Sequence, residues 1–488
     1  MIYPDEQQYV ELAGTYDLIP VYKEILADTE TPVSVLQRFC DRENAFLLES
    51  MEGGETWGRY SFVGIDPELL FEVDHARPAA AGAGLEQLRD IFKGLKVAEI
   101  PGLPRFFGGA VGFIGYEAAG EFERLPAPGE PDDIGQPRSR FLKADRIIVF
   151  DNLRHTVKIV ASTRPGQYGS PTEAYWRAVA EIERLGDLLD RPAPPAKAAI
   201  YPAVEFEPNL TRSAYVEAVQ RAKDYIRKGD AIQVVLSQRF QAHTQLPAIQ
   251  MYRALRLLNP SPYTFFLKMG DQTLVGSSPE VMVRLTGNRV ELRPIAGTRP
   301  RGATEQEDRA LADSLLADEK EKSEHVMLVD LGRNDVGRVA EAGSVQVTEY
   351  MVIERYSHVM HMVSHVEGIL RKPLDAFDVI RATFPAGTLT GAPKVRAMEI
   401  IRELEPGPRG AYGGAVGYVS YSGNMDMAIT IRTLEANRGT VAVQAGAGIV
   451  FDSDPEREWE ETRQKARGMR RAVAMAATGL EVAQGERA

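Results

Sequence analysis

The sequence predicts an α+β fold rather than a doubly wound parallel sheet. Short strand-like segments are separated mostly by turns, the helical stretches come in blocks, and no repeat of fixed period runs through the chain. With 488 residues, 44% of them hydrophobic, the chain can form two domains or one large compound domain. The sharpest change of composition is RPAPPAKAA at 191–199, a stiff segment of the kind that marks a boundary or an ordered crossover. It divides the chain into a first region at 1–190, a linker at 191–200 and a second region at 201–488.

In order, residues 12–26 read as a strand leading into a short helix. Thr31 and Pro32 open a helix that runs to Arg42. AFLLES at 45–50 is an apolar strand ending in a carboxylate and a hydroxyl, and WGRYSFV at 57–63 alternates as a second strand. A helix at 85–95, the glycine-rich FFGGAVGFIGYE, strands at 146–151 and 156–161, and a helix at 171–189 complete the first region. The second region opens with a helix between Thr211 and Gly229, a strand at 230–239 and a helix over MYRALRLLN. Short strands at 263–268, 273–275 and 281–285 follow.

Net charge of −12 excludes a broad nucleic-acid or anionic-membrane surface, though a local basic pocket can still take an anion. No apolar run approaches a membrane span and the first twenty residues lack a signal-peptide pattern, so a cytoplasmic chain is expected. Cys40 is the single cysteine; in LQRFCDRE it reads as a packing residue on an amphipathic helix.

The chemistry concentrates in DEKEKSEHVMLVDLGRNDV at 318–336, a predicted helix in which Glu321 and Glu324, three apart, share one face. Glu458 and Glu461 repeat the spacing in EREWEETRQKA. Two such helices can form an all-oxygen cage for a hard cation such as Mg2+. Spacing alone leaves open an ordinary solvated face, with i,i+4 pairs such as Glu461 and Lys465.

Six segments in this order resemble the chorismate-utilising enzymes, most closely the anthranilate synthase component I group: PIAGTRPRG, DEKEKSEHVMLVDLGRNDVGRV, RYSHVMHMVSHVEG, FPAGTLTGAPKVRAMEII, YGGAVGYVSYSGNMDMAITIRT and QAGAGIVFDSDPEREWEETRQKA. The resemblance implies mainly antiparallel sheets packed together with helices outside, the N-terminal regulatory region interleaved with the C-terminal catalytic one. It implies Mg2+ on Glu321, Glu324, Glu458 and Glu461, gripping the ring carboxylate of chorismate. Gly446, Ala447 and Gly448 of QAGAG would offer backbone N–H groups to a carboxylate, and Arg432 in AITIRT would bind the enolpyruvyl carboxylate. Tyr412 and Lys465 become further substrate contacts, with Gly297 and Thr298 on the ring side. Glu280 becomes the acid for the departing hydroxyl, Thr388 a positioning hydroxyl, and His361 the proton-handling residue when pyruvate is expelled. A zinc site built on His358, His361 and His365 is disfavoured, because no cysteine or carboxylate is expected to complete it.

Two positions select the branch. Gln233 stands where water-adding relatives carry a lysine base, and Ala296 of PIAGT stands where the folate-pathway aminodeoxychorismate synthases carry a nucleophilic lysine. That second branch, and a synthase that stops at amino-deoxyisochorismate without releasing pyruvate, are the alternatives. LLES with NPSPY resembles a tryptophan feedback pocket, with Glu49 and Ser50 for the ammonium and Pro262, Tyr263 and Thr264 beside the indole; Arg59 is a further candidate. Since Cys40 lacks the setting of a glutaminase nucleophile, ammonia is expected from a separate glutamine amidotransferase subunit, commonly as a heterotetramer of two chains of each kind.

Overall fold

The computed structural model describes residues 1–26, 29–50, 58–74, 83–126, 137–192, 199–356 and 359–480. Trp57, His358 and most of the proline-rich segment (193–198) lie outside them.

Two antiparallel sheets dominate. The first runs, in spatial order, Ile2–Tyr3, Ile19–Leu26, Thr156–Thr163, Arg146–Asp151, Tyr60–Ile65, Asn44–Glu49, Tyr263–Met269, Gln272–Ser278, Thr433–Asn437, Thr440–Ile449, Gln233–His243 and Glu207–Pro208. The second runs Ile295–Pro300, Val359–Ile369, Arg289–Leu292, Val281–Thr286, Met425–Ile429, Ala415–Ser420, Gly109–Ile114, Ser139–Ala144 and Glu68–Val73. Segments from both sides of the proline-rich stretch meet inside each sheet. Thr264 pairs with Glu49 in the first, and Val416 with Phe113 in the second, both antiparallel. The interleaving expected from the family resemblance is therefore built into the hydrogen-bond ladders.

Strand alternation explains the layers. Phe46, Ile147, Val149, Phe265 and Leu267 face the second sheet, where Val111, Phe113, Leu142, Val416 and Tyr418 meet them in one buried cluster. Their neighbours Leu47, Ile148, Phe150 and Phe266 point the other way, into a core shared with the helices Glu6–Ala13, Pro171–Leu189, Ala248–Leu258 and Pro455–Ala477. Strands buried on both faces read as unbroken apolar runs, as AFLL does. The outer face of the second sheet packs on the helices Glu319–Gly337 and Ala376–Thr383. No helix among the described residues is long and apolar enough to cross a membrane.

Several element bounds differ from the sequence reading. The helix at the start precedes its strand, because Asp5 and Gln8 form a capping box that opens Glu6–Ala13. The helix from Pro32 stops at Gln37, and Arg38 turns back onto the Glu30 carboxylate at 2.7 and 2.9 Å. The strand after Gly229 begins at Gln233, with Asp230 held outside it by Arg396 at 3.0 Å. Cys40 donates to the Gln37 carbonyl at 3.4 Å and packs on the first core, where burial raises its thiol pKa.

Candidate active site

Two helix N-termini deliver the carboxylates. Asp318 ends the helix Glu305–Ala317 and caps the next, accepting from the N–H groups of Lys320 and Glu321, so Glu321 and Glu324 fall in the first two turns of Glu319–Gly337. Asp454 caps Pro455–Ala477 in the same way and sets Glu458 and Glu461 in its first two turns. Burial, and then the neighbouring Glu321 and Glu461, raise the Glu324 carboxyl pKa. Glu458 is raised by burial and by Glu461, against a hydrogen bond from Ser453. Carboxylates of both helices thus share one repulsive field.

Few cations offset it. Lys465 lies 2.7 Å from Glu461 and donates to the Gly446 carbonyl at 3.1 Å, so the solvated i,i+4 pair is present as well. Arg299 reaches Glu321 at 3.4 Å but is held more closely by Asp318, at 2.9 Å. A cluster of glutamates in which burial and mutual repulsion raise the Glu324 and Glu458 carboxyls is an oxygen-only donor set, and it fits a hard divalent cation.

Among the described residues, three ligand-type side chains already within reach of one another occur elsewhere, at Glu291, His365 and Glu367. His365 Nε2 is 3.4 Å from Glu291 and 3.8 Å from Glu367. The expectation that no carboxylate accompanies these histidines is therefore wrong: Glu367 follows two residues later on the same strand, and Glu291 comes from the strand paired with it. Arg289 also reaches Glu367, at 3.3 Å, so the group forms a small charge network.

Glu280 follows the strand Gln272–Ser278 and is buried. Burial pushes its carboxyl pKa up to about 7, against the pull of Thr388, Arg432 and Lys465 and with a further push from Glu324. Thr388, in the short helix Gly387–Thr390, donates its hydroxyl to Glu280 at 2.8 Å. Arg432 does not sit within a strand as AITIRT implied. It occupies the connection before Thr433–Asn437 in the left-handed region, φ 48°, where its carbonyl accepts from the Ser277 N–H at 3.1 Å. Its half-buried guanidinium has no ion-pair partner among the described residues, and loss of hydration lowers its pKa.

His361 on Val359–Ile369 pairs with Thr298 across a bulge at Gly297. Its Nδ1 is 3.0 Å from the Gly297 carbonyl and 3.1 Å from the Thr298 hydroxyl. A proton on Nδ1 donated to that carbonyl leaves Nε2 as a lone-pair base, and burial, reinforced by Arg432, lowers the imidazole pKa. Glycine is required at 297, where φ is +66° and a Cβ would lie 3.1 Å from a Glu321 carboxylate oxygen. On Thr440–Ile449 the crowding is steric only: a Cβ on Gly446 would lie 2.7 Å from the Tyr412 hydroxyl and 2.9 Å from the Leu236 carbonyl oxygen, and one on Gly448 2.5 Å from the movable Gln233 amide nitrogen. Ala447, between them, is fully buried and faces the core beneath.

A second cavity of about 460 Å³ lies between the sheets, bordered by Glu49, Ser50, Arg59, Pro262, Tyr263 and Thr264 together with Arg105, Arg284, Tyr418 and Asp426. All five expected pocket residues, and Arg59, line it. The Glu49 carboxylate is already engaged by Arg256, at 2.9 and 3.2 Å, and by the Tyr252 hydroxyl. Arg59 pairs with Asp151 at 2.8 Å. Sequence reasoning missed the buried charge cluster in which Arg105 and Arg284 both contact Asp426, at 2.9 and 2.7 Å. It also missed Arg409, enclosed between Tyr116 and Tyr412; the only signal was an arginine set among glycines in PRGAYGG.

A family model described as chorismate binding enzyme matches residues 43–471. Anthranilate synthase component 1 of Pseudomonas putida is 48% identical over 97% of this chain and 99% of its own length. The protein of that name from Pseudomonas aeruginosa is 48% identical over 98% of this chain and its full length. The crystal structure of anthranilate synthase component I from Streptococcus pneumoniae superposes with a TM-score of 0.76 at 37% identity, covering 86% of this chain and 95% of that one.

Proposed function

The chain belongs to the chorismate-binding enzymes, in the anthranilate synthase component 1 group, and on that premise we propose that this site aminates chorismate and then eliminates pyruvate to give anthranilate. Glu321, Glu324, Glu458 and Glu461 would hold Mg2+, which when bound supplies an electrostatic clamp for the ring carboxylate. Arg432, a half-buried guanidinium without an ion-pair partner among the described residues, takes the enolpyruvyl carboxylate. The N–H groups of 446–448, Tyr412 and Lys465 complete the anion recognition, and Gly297 and Thr298 border the ring.

Ammonia adds to the ring as the ring hydroxyl departs as water, with its proton supplied by Glu280. A buried carboxyl held near neutrality is suited to that task, and it is the single observation that carries the reading. Thr388 fixes the direction of the Glu280 carboxyl. His361, with Nε2 free, handles the ring proton as pyruvate leaves. Ala296 offers no nucleophile for a covalent route, so ammonia itself attacks.

The ammonia is generated by a separate glutamine amidotransferase subunit, in keeping with the component 1 relatives and with Cys40, a half-buried thiol whose pKa burial raises. The second cavity takes tryptophan as inhibitor. Two guanidiniums on the one carboxylate of Asp426 leave positive charge there for an amino acid's carboxylate. The test is incubation of the purified chain with chorismate, Mg2+ and ammonium, without glutamine or partner. Fluorescent anthranilate supports the proposal; isochorismate formed without ammonium overturns it.

A further inference from the structure

The geometry points to Glu117 as a positioning residue for the chorismate site, a role that rests on the function proposed above. Glu117 belongs to the first region of the chain, in the turn Tyr116–Glu121, and is buried far from 409–414 in sequence. One carboxylate oxygen accepts the Arg409 N–H at 2.7 Å and the other the Gly410 N–H at 3.0 Å. The Tyr116 N–H donates back to the Gly410 carbonyl at 2.8 Å. Two adjacent N–H groups converging on one carboxylate fix the rotation of the peptide between them, and so the path of the chain to Tyr412 two residues on.

What this clamp holds is connected to the site on two sides. The Arg409 guanidinium lies 4.5 Å over the Tyr116 ring and 5.6 Å from the Tyr412 ring centre. It donates to the Leu389 carbonyl at 2.6 Å, next to Thr388, and to the Val235 carbonyl at 2.8 Å. Val235 pairs with Gly448 across the ladder. Tyr412, Thr388 and the glycine strand are thus tied to one loop, and that loop is tied to Glu117. Loss of the carboxylate leaves two buried N–H groups unsatisfied and loosens the 409–410 peptide, while the Arg409 guanidinium keeps its bonds to Glu405, Leu389 and Val235. The effect falls chiefly on the placing of substrate, through Tyr412, and reaches the Glu280 acid only indirectly, through Leu389 and Thr388.

The experiment compares Glu117→Gln and Glu117→Ala with the unaltered chain in ammonium-dependent turnover. Peptide-resolved hydrogen exchange over 406–414 and thermal midpoints are recorded for the same samples. Glu117→Ala is expected to raise KM for chorismate roughly tenfold, with kcat lowered by less than about threefold and KM for ammonium unchanged. Glu117→Gln, which keeps one acceptor oxygen, falls between, and amides in 406–414 exchange faster in both. A lower midpoint with KM for chorismate within about twofold of the unaltered chain marks Glu117 as a fold residue only and overturns the inference. If Glu117→Ala does not fold, Glu117→Gln alone decides. An unaltered chain that turns over no chorismate overturns the proposed function itself, which separates the two failures.

Discussion

Replacing Glu280 with glutamine should stabilise the protein while disabling it. Burial moves the Glu280 carboxyl from 4.5 to about 7, so the folded chain holds this proton more tightly than the unfolded chain does. A group of that kind lowers stability as pH rises: the loss begins near 4.5, accumulates up to about 7 and is complete above it. At about 1.4 kcal/mol per pH unit, the ionised carboxylate costs the fold about 3 kcal/mol at pH 8.5. Glu280→Gln never ionises and keeps an oxygen to accept the Thr388 hydroxyl, now 2.8 Å away. In urea unfolding without Mg2+ or chorismate, the variant should exceed the unaltered chain by about 3 kcal/mol at pH 8.5 and by under about 1 kcal/mol at pH 5. Anthranilate formation should fall by at least about a hundredfold, the loss expected when a general acid is removed. In the unaltered enzyme kcat/KM should decline on the alkaline side above about pH 7, as the acid ionises. A stability difference that is the same at both pH values would mean that Glu280 does not hold its proton more tightly in the folded chain.

Further outcomes follow from the same geometry. Arg432→Lys should raise KM for chorismate by roughly tenfold or more, because a point ammonium cannot replace a guanidinium fork on a carboxylate; steady-state kinetics reads it. Chelation should abolish activity and added Mg2+ restore it, whereas Glu324→Gln should demand much higher Mg2+ for half-maximal rate, measured by Mg2+ titration. Arg105→Gln leaves Arg284 on Asp426 at 2.7 Å, so the fold should persist while tryptophan inhibition weakens roughly tenfold in a dose–response assay.

The sequence carried local features well and long-range partners poorly. The helices at 171–189 and 212–227 were legible because Ser170 and Thr211 cap them and prolines or glycines bound them. The acidic helix was legible from apolar residues recurring near the helical period with no glycine or proline before Gly332; its cap, Asp318, was read as part of the helix. Strands buried on both faces were recognisable as apolar runs, but nothing local says that Asn44–Glu49 pairs with Tyr263–Met269, more than two hundred residues away. The site residues were found by motif, and their partners were not. Arg256 on Glu49, Arg105 and Arg284 on Asp426, and Glu117 on the 409–410 peptide all join distant segments. Arg432 was misplaced because AITIRT alternates like a strand, whereas the backbone turns left-handed at Arg432 itself. Glu291 escaped notice because only a ladder register brings it to His365, whereas Glu367 stood two residues along the same strand, on the same face, and was overlooked.

On the function proposed above, one site both aminates chorismate and expels pyruvate. Its most direct test is a single-turnover reaction with chorismate limiting and Mg2+ and ammonium in excess, with anthranilate and pyruvate quantified in the same quench. Equal amounts of the two products at completion are predicted. An aminated chorismate that accumulates without pyruvate would mean that this site does not carry out the elimination.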